Sequence, residues 1–216
     1  MDKKKLRRYL PMTRKEQREV LQCYATAFPD WKVIADGRLV RYHGPIMQQI
    51  GFEALRGWSY RPAAVIRALP LPTVRMLHQL LDIKRGGSIG MRDHPRQWKD
   101  VVVAMEQQFR PSVRKPLDLR EVTELCKHEV LERTNDLCML AILNAYLGEN
   151  EQALSYCERI QAAPLPTLPP PLKASPAWER QRREFGLRLK EAIEQGKARE
   201  FLEWEQSEWE RGNKKM

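Results

Sequence analysis

Two short runs, WKVIAD from Trp31 and RLVRYHG from Arg38, flank a single glycine, Gly37. Both are rich in β-branched and aromatic residues, which suit a pleated, half-buried surface. Asp36-Gly37 between them is a hairpin signal, because primed two-residue turns need positive φ and glycine adopts it without strain. A β-hairpin here commits the chain to an antiparallel sheet and excludes an all-helical fold.

The flanks decide what joins that sheet. Thr13 followed by Glu16 is a capping-box pattern, and Val20, Leu21, Tyr24 and Phe28 then recur at helical spacing, so a helix is predicted that stops before Pro29. After the hairpin, Pro45 to Leu55 and Ser59 to Leu69 read as two more strands, bent at Arg56-Gly57 and closed by Pro70-Leu71-Pro72. Val74 to Ile83 fits either a helix or a further strand. Lys84 to Pro95, with Gly86, Gly87 and Gly90, reads as an exposed, mobile loop. Trp98 to Phe109 has helical spacing, ended by Pro111 and Pro116.

From Arg120 to Ile160 the pattern is helical. Within it Leu140, Ala141, Gly148, Ala153, Cys157 and Ile160 resemble one tetratricopeptide helical hairpin, whose small residues let two helices approach around a glycine turn. No second copy is evident, so a lone hairpin is expected. Gln161 to Leu172 carries five prolines and reads as a semi-rigid connector. Beyond it Trp178, Phe185, Leu189, Ile193, Phe201 and Trp204 form an apolar stripe bent at Gly196. The expected fold class is α+β: an antiparallel sheet with flanking helices, followed by a helical C-terminal portion. Its expected domains are 1–118 with a basic N-terminal arm, a helical hairpin at 119–163, a linker at 164–176, and amphipathic helices at 177–216.

Charge narrows the function. The net charge is +10, and the first twenty residues hold eight Lys or Arg against three Asp or Glu, half of that excess. The excess therefore reads as an arm and not as a groove-lining stripe. No apolar run follows the N-terminal basic residues, so no secretory signal is expected, and no stretch is apolar enough to span a bilayer. The expected location is the cytoplasm. The four cysteines sit among apolar helix positions and read as reduced core thiols.

His128-Glu129 lacks the second histidine of a zinc-protease helix, and the cysteines show no pairing that would complete a tetrahedral metal site. Gly86-Gly87-Ser88-Ile89-Gly90 lacks the Lys-Ser/Thr of a phosphate loop. Asp93-His94 could serve acid–base work, and a solvated pair is the plainer reading. No catalytic residue, metal or cofactor is expected. Arg56, Trp58, Tyr60, Arg61 and Arg67 interleave charge with rings that could stack on bases, and strand alternation produces the same mixture.

One further likeness concerns the N-terminal half. The Gly37-Arg38-Leu39-Val40-Arg41-Tyr42 strand, Ile50-Gly51-Phe52-Glu53, Tyr60-Arg61-Pro62 and Gln108-Phe109 resemble bacterial toxin-neutralising immunity proteins over residues 13–115. The resemblance implies an inhibitor that covers a toxin domain and performs no chemistry of its own. Such proteins, when directed at nucleases, are commonly acidic; this basic chain implies an acidic toxin or another target. The expected function is therefore protein binding as an immunity factor, anchored by Trp58, Tyr60, Arg61, Arg92 and Trp98. The alternative is a nucleic-acid-associated accessory protein using the basic arm.

Overall fold

The computed structural model describes residues 11–34, 37–71, 75–83, 87–129, 134–163 and 176–213. The basic arm before residue 11 and the proline-rich connector at 164–175 lie outside the described residues. Two compact units are present: Met1–His43, Met47–Ile66 and Leu77–Leu117 make the first, and Gly44–Ile46, Arg67–Met76 and Asp118–Met216 the second. The α+β class and the helical C-terminal portion are as expected.

The first unit begins with α1 (Arg14–Ala27), held at its start by a reciprocal cap. The Glu16 amide donates to Thr13 Oγ1 at 3.3 Å and the Thr13 amide donates to Glu16 Oε2 at 2.8 Å, satisfying two donors that the helix itself cannot. The helix stops at Phe28, one residue before Pro29. The hairpin follows as β1 (Lys32–Ile34) and β2 (Arg38–His43), antiparallel, with Lys32 opposite Val40 and Ile34 opposite Arg38. Gly37 closes it at φ 80°.

The sheet continues through β3 (Ile46–Leu55), β4 (Ser59–Ala68) and β5 (Arg75–Leu80) in spatial order β1-β2-β3-β4-β5. Val74 to Ile83, open between helix and strand in the sequence, is thus a strand where described. The reason lies in its neighbour: the Leu81 amide donates to the Pro62 carbonyl at 2.9 Å, and a helix would leave that edge of β4 without partners. A two-residue strand β6 (Ile89–Gly90) also pairs with β4, placing Ser59 opposite Gly90 and Tyr60 opposite Ile89. This corrects the expectation of an exposed loop for the later part of 84–95, because the backbone of β4 recruits it as a strand and Ile89, Met91 and His94 are buried.

Helix α2 (His94–Gln108) starts before Trp98, with a proline in its first turn, where a missing amide proton costs nothing. Its Val101, Val102 and Met105 meet Val20, Leu21, Tyr24 and Phe28 of α1 and Leu39, Ile50, Tyr60 and Ala64 of the sheet in one core. Full burial of each large apolar side chain there contributes roughly 1.5–3 kcal/mol. The chain after α2 is tied to the sheet by side chains that read its backbone. Gln79 accepts from the Arg110 amide at 2.8 Å and donates to the Arg110 carbonyl at 2.7 Å. Arg41 donates to Gln48 Oε1 at 2.6 Å and to the Ser112 carbonyl at 2.7 Å.

The second unit is helical: α3 (Leu119–Glu129), α4 (Thr134–Leu147), α5 (Asn150–Ala162), α6 (Pro176–Glu194) and α7 (Ala198–Asn213). Every residue of α4 from Leu137 to Ala145 is buried. A helix apolar on all sides belongs at the centre of a bundle, and α3, α5, α6 and α7 each pack against α4. Its one buried amide, Asn144, donates to the Leu140 carbonyl at 2.7 Å. Three cysteines, Cys126, Cys138 and Cys157, are buried free thiols, and Cys23 of the first unit is a half-buried one.

The expected lone hairpin is α4 with α5, turning at Gly148. The bend expected at Gly196 is a second complete reversal, joining α6 to α7. The two turns share one geometry. Gly148, at φ 80°, donates to the Ala145 carbonyl, and the next amide, Glu149, reaches back to Asn144. Gly196, at φ 70°, donates to Ile193, and Lys197 reaches back to Ala192. The left-handed conformation after the last helical turn is what permits both bonds, and glycine enters it without a β-carbon penalty. Between the hairpins, Arg183 of α6 donates to the carbonyls of Gln161 and Ala163 at 2.8 and 2.6 Å, covering acceptors that the end of α5 leaves open. Among the described residues, no helix is long and apolar enough to cross a membrane.

Candidate interaction site

The candidate site lies in the first unit, where the β3–β4 turn meets the β6–α2 junction. The turn Arg56-Gly57-Trp58 places Gly57 at φ 92° and Trp58 at φ 56°. Trp58 is the one described non-glycine residue with positive φ. A bulky side chain in the left-handed region is an outlier costing on the order of 1–2 kcal/mol, and it persists only where its surroundings over-determine it. Here they do. The Trp58 carbonyl accepts from the Met91 amide at 3.0 Å, the β4–β6 pairing begins at the next residue, and the indole packs against the core.

Above that indole lies Arg92, its guanidinium carbon 5.9 Å from the ring centroid. At that distance the ring attracts the cation without occupying its N–H donors. Arg61 of β4 is oriented differently, with Nε donating to the Gly87 carbonyl. Gly87, at φ 67°, has no room for a β-carbon beside that guanidinium. Arg61 therefore fastens the approach to β6 and belongs to the scaffold of the site. Trp98, on α2, is half-buried against the core with Lys99 Nζ 5.8 Å from its ring centroid.

Tyr60 is corrected from surface anchor to core. It is 0% exposed, because strand alternation turns it inward, opposite to Arg61. Its hydroxyl lies 3.0 Å from the Tyr24 hydroxyl and 2.7 Å from His94 Nδ1. Phe52 and Tyr24 meet the Tyr60 ring edge-on. His94, expected as half of a solvated loop pair, is only 4% exposed. Two hydrogen-bond directions fit this chain: Tyr24 to Tyr60 to His94, or the reverse. Both leave His94 Nε2 buried without a partner.

The electrostatics follow the burial. Desolvation holds the His94 imidazole below its usual value, against the weaker pull of the Glu19 carboxylate, so the ring is neutral at pH 7. Desolvation pushes the Tyr60 phenol up to about 12, and Tyr24 lies well above the usual phenol range for the same reason. These three groups resemble an acid–base relay only in composition; sealed inside the unit, they act as a polar brace between α1, β4 and α2. Neither Tyr24 nor His94 was singled out for this role in the sequence. Tyr24 sits in an apolar stripe, and the partners of His94 are distant in the chain.

A second concavity of about 410 Å³ is lined by Leu81, Ile83, Ile89, Val101 and Ala104. Its polar rim is spent on structure, since Gln108 exchanges two hydrogen bonds with the Asp82 backbone, at 2.8 and 3.0 Å. Among the described residues, no three His, Cys, Asp or Glu side chains gather as a metal site.

No protein-family model, curated protein or solved structure matches this chain.

Proposed function

We propose that this chain is a non-catalytic protein-binding protein acting as an immunity factor, with Trp58 and Arg92 as its principal anchors. The observation that carries the reading is Trp58 itself. A tryptophan held at φ 56°, half-buried beneath an exposed arginine, costs backbone strain that glycine would avoid, and strain of this kind concentrates at functional positions. Tryptophan and arginine are also the residue types that dominate binding energy at interfaces. The turn that carries Trp58 is tied to β6 by the Met91–Trp58 hydrogen bond and the β4–β6 pairing, which limits the ordering cost on association. Burial of His94 supports a non-catalytic role, since a general base must reach its substrate.

Co-purification of the full chain with the product of the gene adjacent to its own tests the reading, together with growth of cells expressing that product. A stable complex and restored growth are expected, and Trp58→Ala abolishes both. Separate elution with no protection overturns the proposal.

A further inference from the structure

We infer that the surface around Trp58 takes an acidic protein segment, whose carboxylates seat against Arg56, Arg92, Arg96 and Lys99. The inference rests on the protein-binding role proposed above and names the chemistry of the partner.

Its first support is an imbalance in ion pairing. In the second unit, several exposed cations face carboxylates of the same unit: Arg120 meets Glu149, Lys127 meets Glu124, Arg199 meets Glu203, and Arg211 meets Glu208; in the first unit Arg114 meets Glu106. In the first unit Arg56, Arg92, Arg96 and Lys99 are all exposed. Among the described residues, none of the four faces a carboxylate within ion-pair distance. Arg56 stands in the same turn as Trp58, and the Arg92 guanidinium carbon is 5.9 Å from its ring centroid. Arg92 lies just before α2, and Arg96 and Lys99, three apart within α2, share one face of that helix. Unneutralised positive charge grouped around a fixed tryptophan complements an acidic surface.

The second support separates protein from nucleic acid. Sequence-tolerant binding of single strands needs open aromatic faces on which bases stack. Here the Trp58 face carries Arg92 and the Trp98 face carries Lys99. Asp93 and Asp100 are exposed along the same stretch and repel a continuous phosphate backbone tracking it, whereas a folded partner presents carboxylates at discrete points. The exposed Arg92 suits such a point, because a guanidinium donates to a carboxylate in bidentate fashion.

The test measures anisotropy of a fluorescein-labelled peptide with single glutamates spaced among neutral residues, with the full chain at low salt and a single-stranded oligonucleotide as competitor. Binding is expected to weaken with salt and to fall about tenfold or more in the double variant Arg92→Glu with Arg96→Glu. The control pair Lys15→Glu with Arg18→Glu makes the same change in net charge on exposed positions of α1 and is expected to leave binding intact. Thermal unfolding of both variants guards against misfolding. Absence of peptide binding, equal loss in the control pair, or oligonucleotide binding that is stronger and sensitive to the same arginines overturns the inference. If the adjacent gene product binds while charge reversal has no effect, the acidic-segment inference falls and the protein-binding reading stands. If the peptide binds at the arginines and the gene product does not, the immunity reading falls alone.

Discussion

The Tyr60 hydroxyl stands 2.7 Å from His94 Nδ1 inside the first unit, with both residues buried. The imidazole is neutral, and charging it would place a cation in the core at the positive end of a helix. Glu19, the one carboxylate that favours its protonation, is exposed, while Tyr24, Tyr60 and Cys23 are neutral neighbours.

Stability therefore depends on pH with a definite sign. The folded value of His94 lies below its unfolded value of about 6.5, so the folded state binds fewer protons as the medium acidifies. The contribution is complete above the unfolded value and is lost as pH falls below it toward the folded value. Urea midpoints should decline from pH 7.5 to about pH 5, and His94→Gln should flatten that decline. Equal slopes in the two proteins would contradict the assignment.

Removing hydroxyls from the same chain should cost unequal amounts. Tyr60→Phe breaks both bonds and leaves two buried groups without a partner, a loss of about 2–3 kcal/mol. Tyr24→Phe removes an end of the chain and costs about 1 kcal/mol. Denaturant unfolding ranks them, and the reverse order would show that Tyr60 is not the central link.

Gly44 and Gly148 both have positive φ, at 53° and 80°, yet alanine should affect them differently. At Gly148 an added β-carbon meets open space, so the cost is the backbone term alone, about 1–2 kcal/mol. At Gly44 it would fall within the ring of Tyr146. That ring is held by the Arg199 guanidinium, 4.8 Å from its centroid. Gly44→Ala should lower the melting temperature well beyond Gly148→Ala, and the double variant Gly44→Ala with Tyr146→Ala should recover part of the loss.

Trp58→Gly separates strain from recognition. Glycine relieves the left-handed backbone while the half-buried indole is lost, so net stability should change by no more than about 1 kcal/mol. Partner affinity should drop by about 2–4 kcal/mol, as for a central aromatic anchor. Calorimetric unfolding and binding titration read the two effects apart; a collapse of stability with affinity unchanged would assign Trp58 to the core.

What the sequence revealed tracks how local each cause is. The Thr13–Glu16 cap, the stop before Pro29 and the hairpin at Gly37 involve residues within a few positions of one another, and each is present, the hairpin with three residues and not two between its paired ends Ile34 and Arg38. Strand β5 was ambiguous because its partner, β4, decides it. β6 was invisible because two residues carry no periodicity. The second hairpin was hidden because α6 is dense in charge, although its glycine turn repeats that of the first. Trp58, Arg61 and Arg92 were chosen by residue type; Arg92 lies over the Trp58 ring, whereas Arg61 is turned to the Gly87 carbonyl. Tyr60 was misassigned because residue type cannot tell which strand face is covered, and the Tyr24–Tyr60–His94 brace joins three elements far apart in sequence.

Strand β1 has only three residues, with Lys32 and Val33 exposed. It closes one edge of the sheet with few free backbone donors and acceptors, and a lysine stands among them. Another copy of the chain finds too short a template there to extend the sheet, so this border resists the strand-on-strand aggregation that longer apolar edges invite.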